Sequence, residues 1–194
     1  MPFIHPMLKR ASIFILAIQC VTSLSTFGQK NVTNVKLSLG ANLGYAPILN
    51  YGSDHKTALT LSVLGDLQIN NLIGRIQYSP VITKSLDSKH FNDGSALHGS
   101  IGYSFEISEK TSIPIMLGGG ASFISYSVSV FGSQGDTFFD VSPQIGLIIS
   151  PKYQINNFMD LQFGARYFKG FKVAERSRAI NLGEISAGLM FKII

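Results

Sequence analysis

Four histidines, many serines and a few carboxylates are the residues with chemistry in them. A serine hydrolase needs a serine, a histidine within reach, and an acid to orient it. Ser95 or Ser100 near His98, with Asp140 or Glu184 as the acid, is one such set; Ser104 is less suitably placed. Serine is so abundant here that the coincidence is cheap. A metal centre needs His, Cys or carboxylate at ligand spacing. His5, His55, His90 and His98 show no such spacing on a shared element. His98 therefore reads as a hydrogen-bonding interior residue. Gly118-Gly119-Gly120 has no Lys-Ser or Lys-Thr after it and no helical pattern, so it is not read as a phosphate loop. Glycines in a strand more often mark close backbone approach. No catalytic site, metal or cofactor is expected.

The elements that would position these residues follow from composition and period. The chain has 194 residues, 45% hydrophobic and only 14% charged, with 19 Gly, 14 Phe, one Cys and no Trp. Ordinary soluble domains carry roughly 25% charge. Low charge with abundant Phe excludes a disordered or nucleic-acid-binding tail. One Cys excludes a disulfide scaffold. The length suits a single domain.

Lys9 and Arg10 precede an apolar stretch from Ala11 to Leu24, followed by Ser25-Thr26-Phe27-Gly28. A positive flank, a short apolar core and a small-residue exit describe a secretory signal peptide. The core is shorter than the roughly 20 residues a spanning helix needs. Residues 1–28 are expected to be a leader and 29–194 one barrel domain. A lipoprotein leader would need a small residue before Cys20, where Gln19 stands. Removing Lys9 and Arg10 lowers the formal net charge from +5 to +3, so nucleic acid is not implied.

The remaining chain alternates with a period of two. Leu37, Leu39, Ala41, Leu43 and Tyr45 make a first apolar row, and Leu59, Leu61, Val63 and Leu67 a second. Ile76 and Tyr78 mark a third; Leu97, Ile101, Tyr103 and Phe105 a fourth; Ile115, Leu117 and Phe123 a fifth. Val141, Ile145, Leu147 and Ile149 make a sixth, Leu161, Phe163 and Tyr167 a seventh, and Ile185, Leu189 and Phe191 an eighth. Strict alternation predicts half-buried strands. Short connections are expected at Asn70-Asn71, Ser108 to Thr111 and Lys152 to Asn157. Long ones are expected at Ala46 to Lys56, Val81 to Ser95, Ser125 to Thr137 and Phe168 to Asn181. Short turns on one side and long loops on the other suit an all-β, eight-stranded, antiparallel up-and-down transmembrane β-barrel. An even strand number then puts both chain ends on the short-turn, periplasmic side.

A soluble, lipocalin-like barrel would point its apolar rows inward. The membrane form points them outward, and three features favour it. The polar rows carry Ser, Thr, Gly and Gln, which suit a tightly filled lumen. Tyr45, Tyr78, Phe105, Tyr167 and Phe191 fall near strand ends, as interfacial girdles do. Charges of both signs fall on the polar rows: Lys36, Asp66, Arg75, Glu106, Asp160 and Lys192 toward the short-turn end, and His98, Asp140, Arg166 and Glu184 toward the other. Buried charges persist when paired, so these ten form an expected lumen network that plugs the barrel. Pro143 is the exception to the pattern, because proline lacks the N–H that a closed barrel requires.

The last strand reads Ser186-Ala187-Gly188-Leu189-Met190-Phe191-Lys192-Ile193-Ile194. It resembles the signal by which outer-membrane barrels are recognised for insertion, with Ser186, Gly188 and Phe191 matching and Ile193 standing where an aromatic is usual. With Phe27-Gly28-Gln29 and Leu161-Gln162-Phe163-Gly164-Ala165-Arg166-Tyr167-Phe168, the chain looks like the small outer-membrane β-barrel proteins of Bacteroidetes. That group is similar in architecture to the transmembrane domain of outer-membrane protein A. The resemblance implies fold and location, with barrel-insertion machinery as a partner. The functional expectation is a monomeric, non-enzymatic outer-membrane barrel with four outer loops, serving envelope structure, adhesion or surface recognition. A barrel-embedded lipid A hydrolase and a soluble apolar-ligand binder are the alternatives. Lys169, Lys172, Arg176 and Arg178, in the last loop, are candidates to contact lipopolysaccharide phosphates, since Arg and Lys suit phosphate oxygens.

Overall fold

A computed structural model describes residues 34–51, 54–81, 91–127, 137–173 and 179–193. The expected leader, His5, Cys20, His90, Arg176 and Arg178 lie outside the described residues. The described residues contain strands and turns and no helix. Their order is β1 (Val35–Tyr51), β2 (Asp54–Ile69), β3 (Leu72–Pro80), β4 (Phe91–Ser108), β5 (Thr111–Ser127), β6 (Thr137–Ile149), β7 (Lys152–Asn156), β8 (Met159–Gly170) and β9 (Ile180–Lys192).

All neighbouring strands are antiparallel, and β1 pairs with both β2 and β9, which closes the ring. Nine segments make eight staves, because β6 and β7 are one strand interrupted at Ser150-Pro151. The pairs Ile115↔Ile149 on β5–β6 and Ser112↔Lys152 on β5–β7 share one register across the break. Two prolines cause the interruption. In an antiparallel ladder the N–H and C=O of one residue point to the same neighbour. The Pro114 carbonyl accepts from Ser150 N at 2.9 Å, so the missing N–H of Pro114 faces the break. The Pro151 carbonyl accepts from Phe163 N at 2.9 Å, so its missing N–H faces β8. The expected connection from Lys152 to Asn157 is therefore corrected: this stretch is strand, and the turn is Asn157-Phe158. Pro143 sits within β6, with its carbonyl accepting from Phe171 N at 2.9 Å. Its missing N–H thus faces the end of the β6–β8 ladder, whose pairing begins at Gln144↔Gly170.

The connections differ in length at the two ends. Asn70-Asn71 is a two-residue turn, and Asn70 has φ of 53°, which Asn tolerates. Glu109-Lys110 and Asn157-Phe158 turn at the same end, where β1 begins and β9 finishes. At the opposite end the expected long loop from Ala46 to Lys56 is corrected. β1 and β2 stay paired past a bulge between Ala46 and Leu49, out to Tyr51↔Asp54. Alternation fades there because the bulge shifts which residues face inward. Likewise β4 begins at Phe91, before the expected Ser95 boundary, and β8 runs to Gly170, which makes Lys169 a strand residue.

The burial pattern decides the direction of the rows. Ile101 is 68% exposed and Leu117 67%, whereas Asp66 and Arg75 are 2% and 3% exposed. The apolar rows face out and the polar rows face in, the inverse of a soluble barrel. Tyr45, Tyr78, Phe105, Tyr167 and Phe191 all lie on the outward face.

An eight-stranded ring is narrow, and some inward positions accept nothing larger than hydrogen. A Cβ on Gly188 would run into the Ala41 carbonyl oxygen and the Asn42 side chain. One on Gly120, in the Gly118-Gly119-Gly120 run, would meet the Leu97 carbonyl oxygen. Gly99 has nothing within 4 Å of the same position. Gly188→Ala is expected to lower the thermal unfolding temperature of the detergent-refolded barrel, while Gly99→Ala leaves it within error. Equal effects would show that strand approach at Gly188 does not limit packing.

Candidate functional site

The densest polar chemistry lies inside the ring, in two ion-paired clusters and one histidine network. Near the short-turn end, the carboxylate of Asp66 is shared. Arg75 Nε donates to its Oδ1 at 2.6 Å and Arg75 Nη2 to its Oδ2 at 2.8 Å, a bidentate fork. Lys152 Nζ lies 2.7 Å from the same Oδ2. The remaining guanidinium donors reach Ser150 Oγ at 3.0 Å and Gln162 Oε1 at 2.8 Å. Asp66 and Arg75 face each other across β2–β3 as direct cross-strand partners, which is why the fork is bidentate. Lys152 enters from the opposite wall.

The second cluster centres on Glu184. Arg166, its partner across β8–β9, donates Nη2 to Glu184 Oε2 at 2.6 Å and to Ser79 Oγ at 2.8 Å. Thr60 Oγ1 donates to the same Oε2 at 2.7 Å, and Ser62 and Ser79 hydroxyls lie 2.8 Å apart. Arg166 Nε and Nη1 and Glu184 Oε1 have no hydrogen-bond partner among the described residues. Beside Arg166 lies a small cavity of about 20 Å³, lined by Leu49, Val81, Ile124, Ile180 and Leu182. That is room for about one water.

His98 is buried and spends its ring on structure. Its Nε2 lies 2.6 Å from Gln144 Oε1, which also accepts from Ser122 Oγ at 2.8 Å. Gln144 Nε2 donates to the Ile180 carbonyl at 2.6 Å, which fixes the amide orientation. Oε1 is then the acceptor and Nε2 of His98 the donor, while Nδ1 finds no hydrogen-bond partner among the described residues. The Phe168 ring stacks on the imidazole with centroids 3.8 Å apart. The hydrolase set is not assembled. Ser100 Oγ turns to Met116 Sδ at 3.8 Å, and Ser95 occupies an outward-row position opposite Pro80. Among the described residues no group of three His, Cys, Asp or Glu could hold a metal ion.

Of the ten residues expected in a lumen network, the structure brings Asp66 and Arg75 together, and Arg166 and Glu184 together. Asp160 and Lys192 pair at 2.8 Å, partly open to the short-turn mouth. His98 joins the glutamine network instead of an ion pair. Asp140 is half-buried on β6, opposite Ile124. Lys36 is half-buried near the mouth, and Glu106 is exposed there; its expected place in the network is corrected, since β4 ends two residues on. Lys152 is not among the expected residues, because Lys152 to Asn157 reads in sequence as a polar connection. Continuing the inward row of Ser142, Gln144 and Ser150 past the proline would have found it. Ser186, Gly188, Phe191 and Ile193 lie along β9 and just beyond it, with Phe191 and Ile193 facing out. Lys169 and Lys172 are exposed at the end opposite the short turns.

No family model matches the chain, and no curated protein matches it in sequence. Solved structures do match its fold. Neisserial surface protein A aligns with a TM-score of 0.65 at 16% identity, covering 84% of this chain and 100% of that one. A major outer membrane protein from Thermus thermophilus aligns at 0.57 and 11% identity, covering 82% and 100%. Ail, the attachment invasion locus protein of Yersinia pestis, aligns at 0.54 and 12% identity, covering 82% and 97%. The fold is therefore that of the bacterial eight-stranded outer-membrane β-barrels.

Asp66 serves two cations, so its loss differs from the loss of either one. In Arg75→Leu the carboxylate keeps Lys152. In Asp66→Leu two cations are left buried without their shared anion. Removing one partner of a buried pair costs about 3–5 kcal/mol. Asp66→Leu is expected to show a loss of that order in urea unfolding, and Arg75→Leu a clearly smaller one. Equal losses would show that Lys152 does not hold the carboxylate.

Proposed function

We propose that this chain is a non-enzymatic, integral outer-membrane β-barrel, of the small kind its sequence resembles in Bacteroidetes. Its role is to anchor surface-exposed connections in the envelope, for structure, adhesion or surface recognition. One observation carries the reading: a ring of strands whose outward rows are apolar and whose buried charges are turned inward and paired. Such a surface is stable against hydrocarbon, and closure satisfies every strand edge as a bilayer requires. Bacterial barrels of this kind reside in the outer membrane.

In this reading residues 1–28 direct export, and the β9 residues Ser186, Gly188, Phe191 and Ile193 address the barrel to the insertion machinery. Both chain ends lie on the periplasmic, short-turn side, and the protein is a monomer surrounded by lipid and lipopolysaccharide. The interior is a plug. Buried Leu49, Ile124, Phe168, Ile180 and Leu182 form one apolar cluster, and Arg166 lines a small cavity beside Leu49, Ile124, Ile180 and Leu182. Recognition then falls to the connections at the end opposite the short turns, since a rigid scaffold with variable loops is the common arrangement for binding.

The chain is expected in the outer-membrane fraction, with heat-modifiable migration in a detergent gel. Recovery as a soluble periplasmic protein would overturn the proposal. Purified barrel in planar bilayers should give no stepwise conductance. Lipid A mass spectra should show the same acyl count with wild type, with His98→Ala and without the protein. An altered acyl count would defeat the non-enzymatic reading in favour of the lipid A hydrolase.

A further inference from the structure

The outward face of the barrel is almost free of charge. Among strand residues whose side chains are described, every outward position but one carries an apolar or small uncharged side chain; the exception is Lys169 on β8. The outward row of β8 reads Phe163, Ala165, Tyr167 and Lys169, and Phe171 continues it. Across the ladder Lys169 faces Ile145 of β6. Tyr167, Phe171, Val173 and Ile145 are all substantially exposed, so the ammonium group rises from apolar surroundings. No carboxylate among the described residues pairs with it.

The backbone beneath it is pinned. Phe171 N donates to the Pro143 carbonyl at 2.9 Å, Ser142 Oγ donates to the Phe171 carbonyl at 3.1 Å, and Gly170 N donates to Asn181 Oδ1 at 3.0 Å. Lys169 is thus held in place at the end of the strand, away from the short turns. Strand rise puts it about 7 Å beyond Tyr167 along β8. Tyr marks the level where hydrocarbon gives way to headgroups. A cation just past that level, with an aliphatic stem along apolar surface, meets the phosphate layer.

We propose that Lys169 is a docking point for the phosphate of a membrane lipid, with Tyr167, Ile145 and Phe171 packing against the lipid's chains. This rests on the reading that the apolar belt sits in a bilayer. The partner's chemistry is anionic phosphate on an acylated body: the ammonium takes the first part and the surrounding apolar side chains the second. In the orientation proposed above, the lipid is a phosphorylated glycolipid of the outer leaflet.

The test uses the full barrel in phosphatidylcholine nanodiscs doped with lipid A, and native mass spectrometry counts the lipid A retained. Wild type should enrich lipid A over the bulk lipid. Lys169→Met should lower that enrichment about five-fold, the effect of one cation near an anionic surface. Lys169→Arg should restore it. Lipid A stripped of its phosphates should not be enriched by any of the three. Equal enrichment by wild type and Lys169→Met, or enrichment of the phosphate-free lipid, would overturn the proposal. Displacement by inorganic phosphate would reassign the site to a free anion and overturn the lipid assignment. Heat-modifiable migration of each variant separates the two readings. A Lys169→Met barrel that inserts normally but enriches equally refutes only the lipid site. A wild type that fails to enter the membrane refutes the barrel reading itself.

Discussion

Closure of the ring is the constraint on which the rest depends. Once β1 pairs with β9, every described strand has a neighbour on both sides, and the ladder groups are bonded within the ring. Closure at eight strands also sets the radius. The interior is then wide enough for side chains and too narrow for much else. Inward glycines such as Gly188 and Gly120 follow from that radius, because neighbouring backbone already occupies the place of their Cβ.

The same radius makes the interior charges interdependent. Asp66 on β2 meets Arg75 on β3 as a cross-strand neighbour and Lys152 on β7 from the opposite wall. Glu184 meets Arg166 beside it and Thr60 from another stave. Each carboxylate therefore ties staves that share no ladder. The backbone ladder joins only adjacent strands; these side chains brace the ring across its width. Desolvating such groups is costly, so their value lies in geometry as much as in energy.

Proline shows how much the ring tolerates. Pro114 and Pro151 remove N–H donors at nearly the same level, and β6 and β7 separate there. Register survives on both sides of the gap, so the inward row passes through unchanged and delivers Lys152 to Asp66. A local loss of hydrogen bonds is compatible with the fold because the neighbouring pairs on β5 and β8 hold the staves in line.

The alternation of Leu39, Leu43, Leu61, Ile101, Leu117 and Leu189 with small polar residues determined by itself that the chain forms half-buried strands. Their number was legible too, because period two is a local property of the chain. Low charge and aromatic strand ends indicated that the apolar rows face out. The pairings were only partly legible. Arg75 with Asp66, and Arg166 with Glu184, sit on adjacent staves where parity brings them together. Lys152 and Gln162 were not legible, because their partners come from across the ring, nor was Gln144, two of whose partners, His98 and Ile180, sit on staves that β6 does not pair with; only closure sets those distances. The bulge after Ala46, the strand continuing through Pro151, and the exposure of Glu106 were likewise decided by tertiary structure. Each depends on where a neighbouring stave ends, and a single strand's sequence does not carry that information.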